Sequence, residues 1–198
     1  MVHASGARSE VGDQGVSRAP PKVRELFAAE RVRARIAELG ATIACDLADE
    51  VRGTGRPPLF LVIAEGARRF ADSLLAAAAT HGLIAESMII RARRTERQEL
   101  VAVAIEPFDE RRCHGRAVIL VDDIADEGRT LEALRARVTA ARPASLRTAV
   151  LVSKHARRRA QIALDWVGFE VADGWIVGFG MDLDGKLREL DWIGVIED

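Results

Sequence analysis

The apolar positions of the chain change period several times, and each change marks an element. They begin at Val32, Ile36, Leu39, Ile43, Leu47 and Val51, in steps of four and three that place them on one face of an amphipathic helix. Gly40 sits inside that pattern, where a glycine can kink the helix or divide it in two. Gly53 to Pro58 is rich in turn residues and breaks the pattern. Leu59 to Ala64 then runs apolar without alternation, as a strand buried on both faces does. Phe70, Leu74 and Leu75 return to helical spacing as far as Thr80. Apolar runs at Ile84–Ile90, Leu100–Ile105, Val118–Val121 and Leu146–Val152 predict further strands. Leu131, Leu134 and Val138 predict a helix that stops before Pro143. Strands alternating with helices imply βαβ units, hence an α/β fold with a central, mostly parallel sheet flanked by helices. Arg91 to Glu99 is charged and lacks apolar anchors, so it is expected to be a mobile connection.

Composition sets outer bounds. The chain has 198 residues, 48% of them apolar, enough for one domain with a real core and a small appended hood. Met1 to Pro21 is aperiodic, has no apolar signal-peptide core, and is expected to be a disordered extension, leaving 22–198 as the domain. A net charge of −1 recruits neither nucleic acid nor an anionic membrane. Basic residues do cluster at Arg91 to Arg97 and Lys154 to Arg159, but the first cluster has no interleaved aromatics on which bases could stack. Cys45 and Cys113 are too few and too scattered for a disulfide framework or a metal knuckle, and a reducing cytoplasm is expected. No apolar run approaches the roughly 18 residues of a membrane span.

The candidate chemistry lies at residues 117–130, Ala-Val-Ile-Leu-Val-Asp-Asp-Ile-Ala-Asp-Glu-Gly-Arg-Thr. Here a buried strand stops at two adjacent carboxylates, Asp122 and Asp123, and ligands of open α/β sheets bind just beyond such strand ends. Asp126 follows, then a turn containing Gly128 that feeds a helix N-terminus, where unpaired backbone N–H groups suit an anion. Any one of these acids could simply be solvated or cap the helix. Two vicinal acids capping a buried strand are costly, however, unless something binds them. The stretch therefore suits a sugar phosphate: acids for hydroxyls or a metal, amides for phosphate.

Val-Asp-Asp-Ile-Ala-Asp-Glu-Gly-Arg-Thr, residues 121–130, resembles the phosphoribosyl-pyrophosphate (PRPP) motif of type I phosphoribosyltransferases, written Val-Glu-Asp-Ile-Ile-Asp-Thr-Gly-x-Thr in the hypoxanthine-guanine branch. Ala64-Glu65-Gly66-Ala67 with Phe70-Ala71-Asp72 is similar to that branch's Leu-Lys-Gly-Ala…Phe-x-Ala-Asp segment. Residues 165–182, from Asp165-Trp166-Val167-Gly168-Phe169 to Gly178-Phe179-Gly180-Met181-Asp182, resemble its C-terminal purine segment. The likeness runs from Phe27 to Val195 and implies the type I fold with a small hood drawn largely from 165–198.

The resemblance also implies roles. Asp122 and Asp123 hold the ribose hydroxyls, directly or through Mg²⁺, because carboxylates only accept hydrogen bonds and ligate hard cations. Asp126 is the general acid/base near purine N7. Lys154 meets the 6-oxo group, Trp175 stacks on the base, and Ile176 offers backbone groups to its edge. Asp182 binds Mg²⁺, and Arg188 binds pyrophosphate. Glu65 and Gly66 belong to the pyrophosphate loop, and Glu127, Gly128, Arg129 and Thr130 to the 5′-phosphate loop. The implied activity is transfer of a phosphoribosyl group from PRPP to hypoxanthine or guanine, giving the nucleoside monophosphate and pyrophosphate in purine salvage, by a homodimer or homotetramer.

Three positions depart from the family pattern. Glu65 replaces a Lys, Glu127 replaces a Thr, and the connection after Ile90 carries Arg91, Arg93, Arg94 and Arg97 in place of a Ser-Tyr pair. Two like charges about 4 Å apart repel by roughly 4 kcal/mol at an effective dielectric of 20, about a thousandfold in affinity. Pairing of Glu127 with Arg129 would relieve one such conflict. The alternative reading is a phosphoribosyltransferase-like protein that binds a nucleotide or a partner with weak or no transfer.

Overall fold

The computed structural model describes residues 21–97, 100–156 and 162–197, with side chains excepted at 94–97 and 100–102. The elements run β1 (Lys22–Phe27), α1 (Ala29–Thr54), β2 (Leu59–Ala64), α2 (Ala67–Ala79), β3 (Glu86–Arg97), β4 (Leu100–Ile105), β5 (Ala117–Ala125), α3 (Arg129–Ala140), β6 (Ser145–Lys154), β7 (Trp166–Val171), β8 (Ile176–Val177) and β9 (Ile193–Glu197). A short 3₁₀ turn, Glu110–Cys113, precedes β5. The expected disorder of Met1 to Pro21 falls outside the described residues except at Pro21.

Six strands form the main sheet in the order β4-β3-β2-β5-β6-β7. All neighbours are parallel except β3 and β4. The parallel centre explains why β2 and β5 read as unbroken apolar runs: both faces are covered. One face of the sheet packs on α1 and α2 through Phe60, Val62, Ile119 and Val121. The other packs on α3 through Leu61, Val118, Leu120 and Leu134. A second, three-stranded antiparallel sheet has the order β1-β9-β8. No described helix is long and apolar enough to cross a membrane.

Several expectations change. The helix begun at Val32 is one continuous element from Ala29 to Thr54, closed by the left-handed Gly55 (φ +62°), whose N–H donates to Val51 O. Gly40 does not divide it. A Cβ at Gly40 would lie 2.6 Å from Ala77 Cβ and 2.8 Å from the Ala77 carbonyl carbon, so this glycine lets α1 and α2 touch. Arg91 to Arg97 is part of β3 and pairs antiparallel with β4 from Ala92↔Ile105 to Arg97↔Leu100; Gln98 and Glu99 lie outside the described residues. A hairpin arm beyond the sheet needs only its partner's backbone, so a strand can form there without an apolar face. In the small sheet, β1 comes from the start of the domain, and β7 joins the main sheet instead.

The N-terminal ends of the parallel strands are tied by Arg116, only 3% exposed. Its guanidinium donates to Pro57 O from Nε (3.0 Å) and Nη2 (2.6 Å), and its Nη1 lies 3.1 Å from Glu86. Arg112 joins the same carboxylate at 2.7 Å. These two guanidiniums hold the Glu86 carboxyl below the ordinary carboxylate range. This clamp sits at the opposite sheet end from the acids of β5.

Gly40→Ala is expected to destabilise the protein. Alanine gains roughly 1 kcal/mol in helix propensity, but overpacking against backbone costs about 1–3 kcal/mol. Urea unfolding should therefore show a lower midpoint; an equal or higher midpoint would mean that the helices part without strain.

Candidate active site

At its carboxyl end β5 carries acids on both faces of the sheet. Asp123 continues the row of Ile119 and Val121 that faces α1 and α2, whereas Asp122 continues the row of Val118 and Leu120 that faces α3. Asp122 Oδ1 accepts the Asp123 N–H at 3.1 Å, and Asp123 Oδ1 accepts the Ile124 N–H at 2.9 Å. The loop after β2 presses on the same carboxylate: a Cβ at Gly66 would lie 1.7 Å from Asp123 Oδ2. Only glycine permits that approach. The preceding Ala64–Glu65 peptide is cis. Burial pushes the Asp123 carboxyl above the ordinary carboxylate range. Its hydrogen bonds to Asp122 and to backbone N–H groups, and the nearby charge of Arg188, offset this only in part.

Lys154 ends β6, 5% exposed, with Nζ 3.6 Å from Asp126 Oδ2 across the parallel pair β5–β6. The turn between β5 and α3 is completed by Gly128 in the left-handed region (φ +83°), an N-cap residue with no side chain of its own. Glu127, expected to oppose phosphate, lies 3.0 Å from Arg129 Nε. Its charge is therefore offset locally. Thr130 follows in the first turn of α3.

The third side comes from the segment around β8. Trp175 is 58% exposed, so it is not a core tryptophan. Its Nε1 donates to Asp182 O at 3.0 Å, and its carbonyl accepts Ile196 N–H at 2.9 Å. Ile176 is buried in β8, opposite Val195. Asp182 accepts the Gly185 N–H at 2.6 Å and lies 2.6 Å from Arg188 Nη2. Arg188 Nη1 also donates to Gly180 O at 2.7 Å.

Asp123, Asp126, Lys154, Trp175, Ile176 and Asp182 line one cavity of about 230 Å³. Residues from positions 123 to 182 of the chain thus converge on a single cleft. Asp122, Glu65, Gly66, Glu127, Gly128, Arg129, Thr130 and Arg188 are not in its wall. Two wall residues, Ile124 and Met181, were not singled out from the sequence; both are apolar and carry no chemical signal that separates them from core. Among the described residues no three His, Cys, Asp or Glu side chains gather around one point. Asp182, which bonds to Arg188, does not join Asp122 and Asp123 in one cluster.

A volume of this size, with one exposed aromatic and several convergent charges, fits a flat polar heterocycle. Beside it lie the hydrogen-bonded acids at the end of β5 and the first turn of α3.

The fold and this cleft define a phosphoribosyltransferase: the family model of the phosphoribosyl transferase domain matches residues 33–184, and the chain belongs to that family. Within it the chain falls in the hypoxanthine-guanine branch of type I enzymes. It is 33% identical over 172 residues to the hypoxanthine-guanine phosphoribosyltransferase of Mycobacterium tuberculosis, covering 87% of this chain and 85% of that protein. It is 31% identical over 173 residues to the enzyme of the same name from Streptococcus thermophilus, covering 87% and 92%. Among solved structures, the Leishmania tarentolae enzyme in complex with GMP matches with a TM-score of 0.78 at 26% identity, covering 91% of this chain and 100% of that one. A ternary substrates complex of Trypanosoma cruzi hypoxanthine phosphoribosyltransferase, carrying a K68R substitution, matches with a TM-score of 0.78 at 27% identity, covering 89% and 96%.

Asp123 yields a pH-dependent prediction. In the folded, ligand-free protein its carboxyl keeps the proton to higher pH than in the unfolded chain. The ionised form therefore costs stability at neutral pH, and the cost fades as pH falls through the raised folded value. Asp123→Asn should raise the denaturant midpoint at pH 7.5, with the gain shrinking toward pH 4; a gain independent of pH would contradict the assignment.

Proposed function

We propose that the protein is a Mg²⁺-dependent purine phosphoribosyltransferase that uses PRPP and a 6-oxopurine, hypoxanthine or guanine, to form the nucleoside monophosphate and pyrophosphate. The carrying observation is the Lys154–Asp126 pair, 3.6 Å apart in the cavity that Trp175 borders. A 6-oxopurine carries O6 and N7 side by side on one edge, a match for one donor and one acceptor at about that spacing. Lys154 donates to O6. A 6-amino group would place donor against donor, so the pair selects against adenine. Trp175 stacks on the ring.

In this reading Asp126 takes the proton from N7 as N9 forms its bond to ribose C1′ and the bond from C1′ to pyrophosphate breaks. Asp122 and Asp123 hold the ribose hydroxyls, and the amides of α3 with Thr130 hold the 5′-phosphate. The neighbouring carboxylates of Asp122 and Asp123 are a donor set that fits Mg²⁺, which takes one or two carboxylates and completes its shell with phosphate oxygens and water. Such an ion, when bound, neutralises charge on the pyrophosphate. Arg188 faces the leaving pyrophosphate, and Asp182 orients Arg188 and is a second candidate for the metal. A cytoplasmic homodimer or homotetramer is part of the same proposal and rests on family likeness.

Incubation of the pure protein with PRPP, Mg²⁺ and each purine base tests the reading directly. Hypoxanthine or guanine should give a monophosphate and adenine should not; no product with any base would reject transfer and favour a binding protein. Asp126→Asn should lower kcat by about 10²–10⁴-fold with an unchanged circular dichroism spectrum. Turnover within about a factor of two of wild type would remove Asp126 from its role.

A further inference from the structure

Arg69, in the first turns of α2, joins the two loops that frame the site, and none of the residues singled out above explains it. Its Nη1 donates to three successive carbonyls, Arg188 O (3.4 Å), Glu189 O (3.0 Å) and Leu190 O (2.9 Å), while Nη2 pairs with Asp191. The guanidinium lies 4.5 Å from the centroid of the Phe179 ring. It is thus sandwiched between an aromatic face and a ring of acceptors, the geometry a planar fork satisfies and an ammonium does not.

These contacts fall on the backbone that carries Arg188. The Gly180 N–H donates to Arg188 O, the carbonyl that Arg69 also engages, and the Phe179 N–H donates to Leu190 O. The chain is held closely on the other side as well. A Cβ at Gly180 (φ +104°) would lie 2.2 Å from Gly66 O, and one at Gly66 would overlap the Asp123 carboxylate. Contacts therefore run without a gap from Asp123 through Gly66 and Gly180 to Arg188. Arg69 closes the circuit back to α2, which begins one residue after Gly66.

We propose that Arg69 is a positioning residue for pyrophosphate: it fixes the 188–190 backbone so that Arg188, bonded to Gly180 O and Asp182, is aimed at the polyphosphate of the substrate. The inference rests on the phosphoribosyltransferase reading and deepens it by assigning this side of the site to the leaving group.

The test compares wild type with Arg69→Met, Arg69→Lys and Arg188→Ala in three measurements. Steady-state kinetics should show KM for PRPP and the inhibition constant of pyrophosphate raised roughly ten- to a hundredfold in Arg69→Met, the scale of a misplaced binding group, with KM for the purine base unchanged. Arg69→Lys, which keeps the charge without the fork, should recover only part of this. The double variant with Arg188→Ala should be no worse than Arg188→Ala alone, because one residue acts through the other. Amide exchange in residues 186–191 should accelerate in Arg69→Met whether or not the protein turns over. An inactive wild type with that acceleration would reject transfer while keeping Arg69 as the clamp of the loop. Unchanged exchange at 186–191, or equal losses for both substrates with a lowered melting temperature, would overturn the proposal.

Discussion

The site depends on one tightly packed carboxylate in the wall of the cleft. Asp123 sits at the end of a strand buried on both faces, with the Gly66 backbone pressed against its outer oxygen. Burial raises its pKa, and that cost is tolerated because adjacent amides and Asp122 hydrogen-bond to it. A destabilised acid of this kind gains when a hydroxyl or a cation arrives, so the fold carries a penalty that a ligand relieves. The same close approach sets the geometry of the loop after β2. That loop in turn seats Gly180 and the chain leading to Arg188.

The molecule divides its two sheet ends by task. At the N-terminal end, Arg116 and Arg112 converge on Glu86 and join the starts of β2, β3 and the approach to β5. At the carboxyl end, strand register brings Asp126 and Lys154 opposite one another, and the segment around β8 lays Trp175 beside them. Charge at the turn into α3 is managed locally: Glu127 is paired with Arg129. Family membership and the pairing of Lys154 with Asp126 both bear on the same cleft.

Much of this was legible beforehand, for a physical reason. Buried parallel strands must be apolar on both faces, so β2 and β5 could be read directly, and acids that interrupt such a run stand out because burial makes them costly. Trp175 and Lys154 were legible only through their resemblance to a family, since an isolated Trp or Lys carries no address. The role of Gly40 was not legible because the sequence records a missing side chain and not what occupies the space, here Ala77. Arg91 to Arg97 was read as a loop because a hairpin arm shows no apolar alternation.

By itself the sequence determined the order of elements from α1 to β6, the apolar faces and the acidic strand end, since these follow from local periodicity and the cost of buried charge. Only the tertiary structure decided the rest. It assigned β1 to the small sheet and β7 to the large one, and set Arg69 over Phe179 beneath three carbonyls. Such contacts join residues distant along the chain or depend on which rotamer the surroundings permit, and no local pattern encodes them.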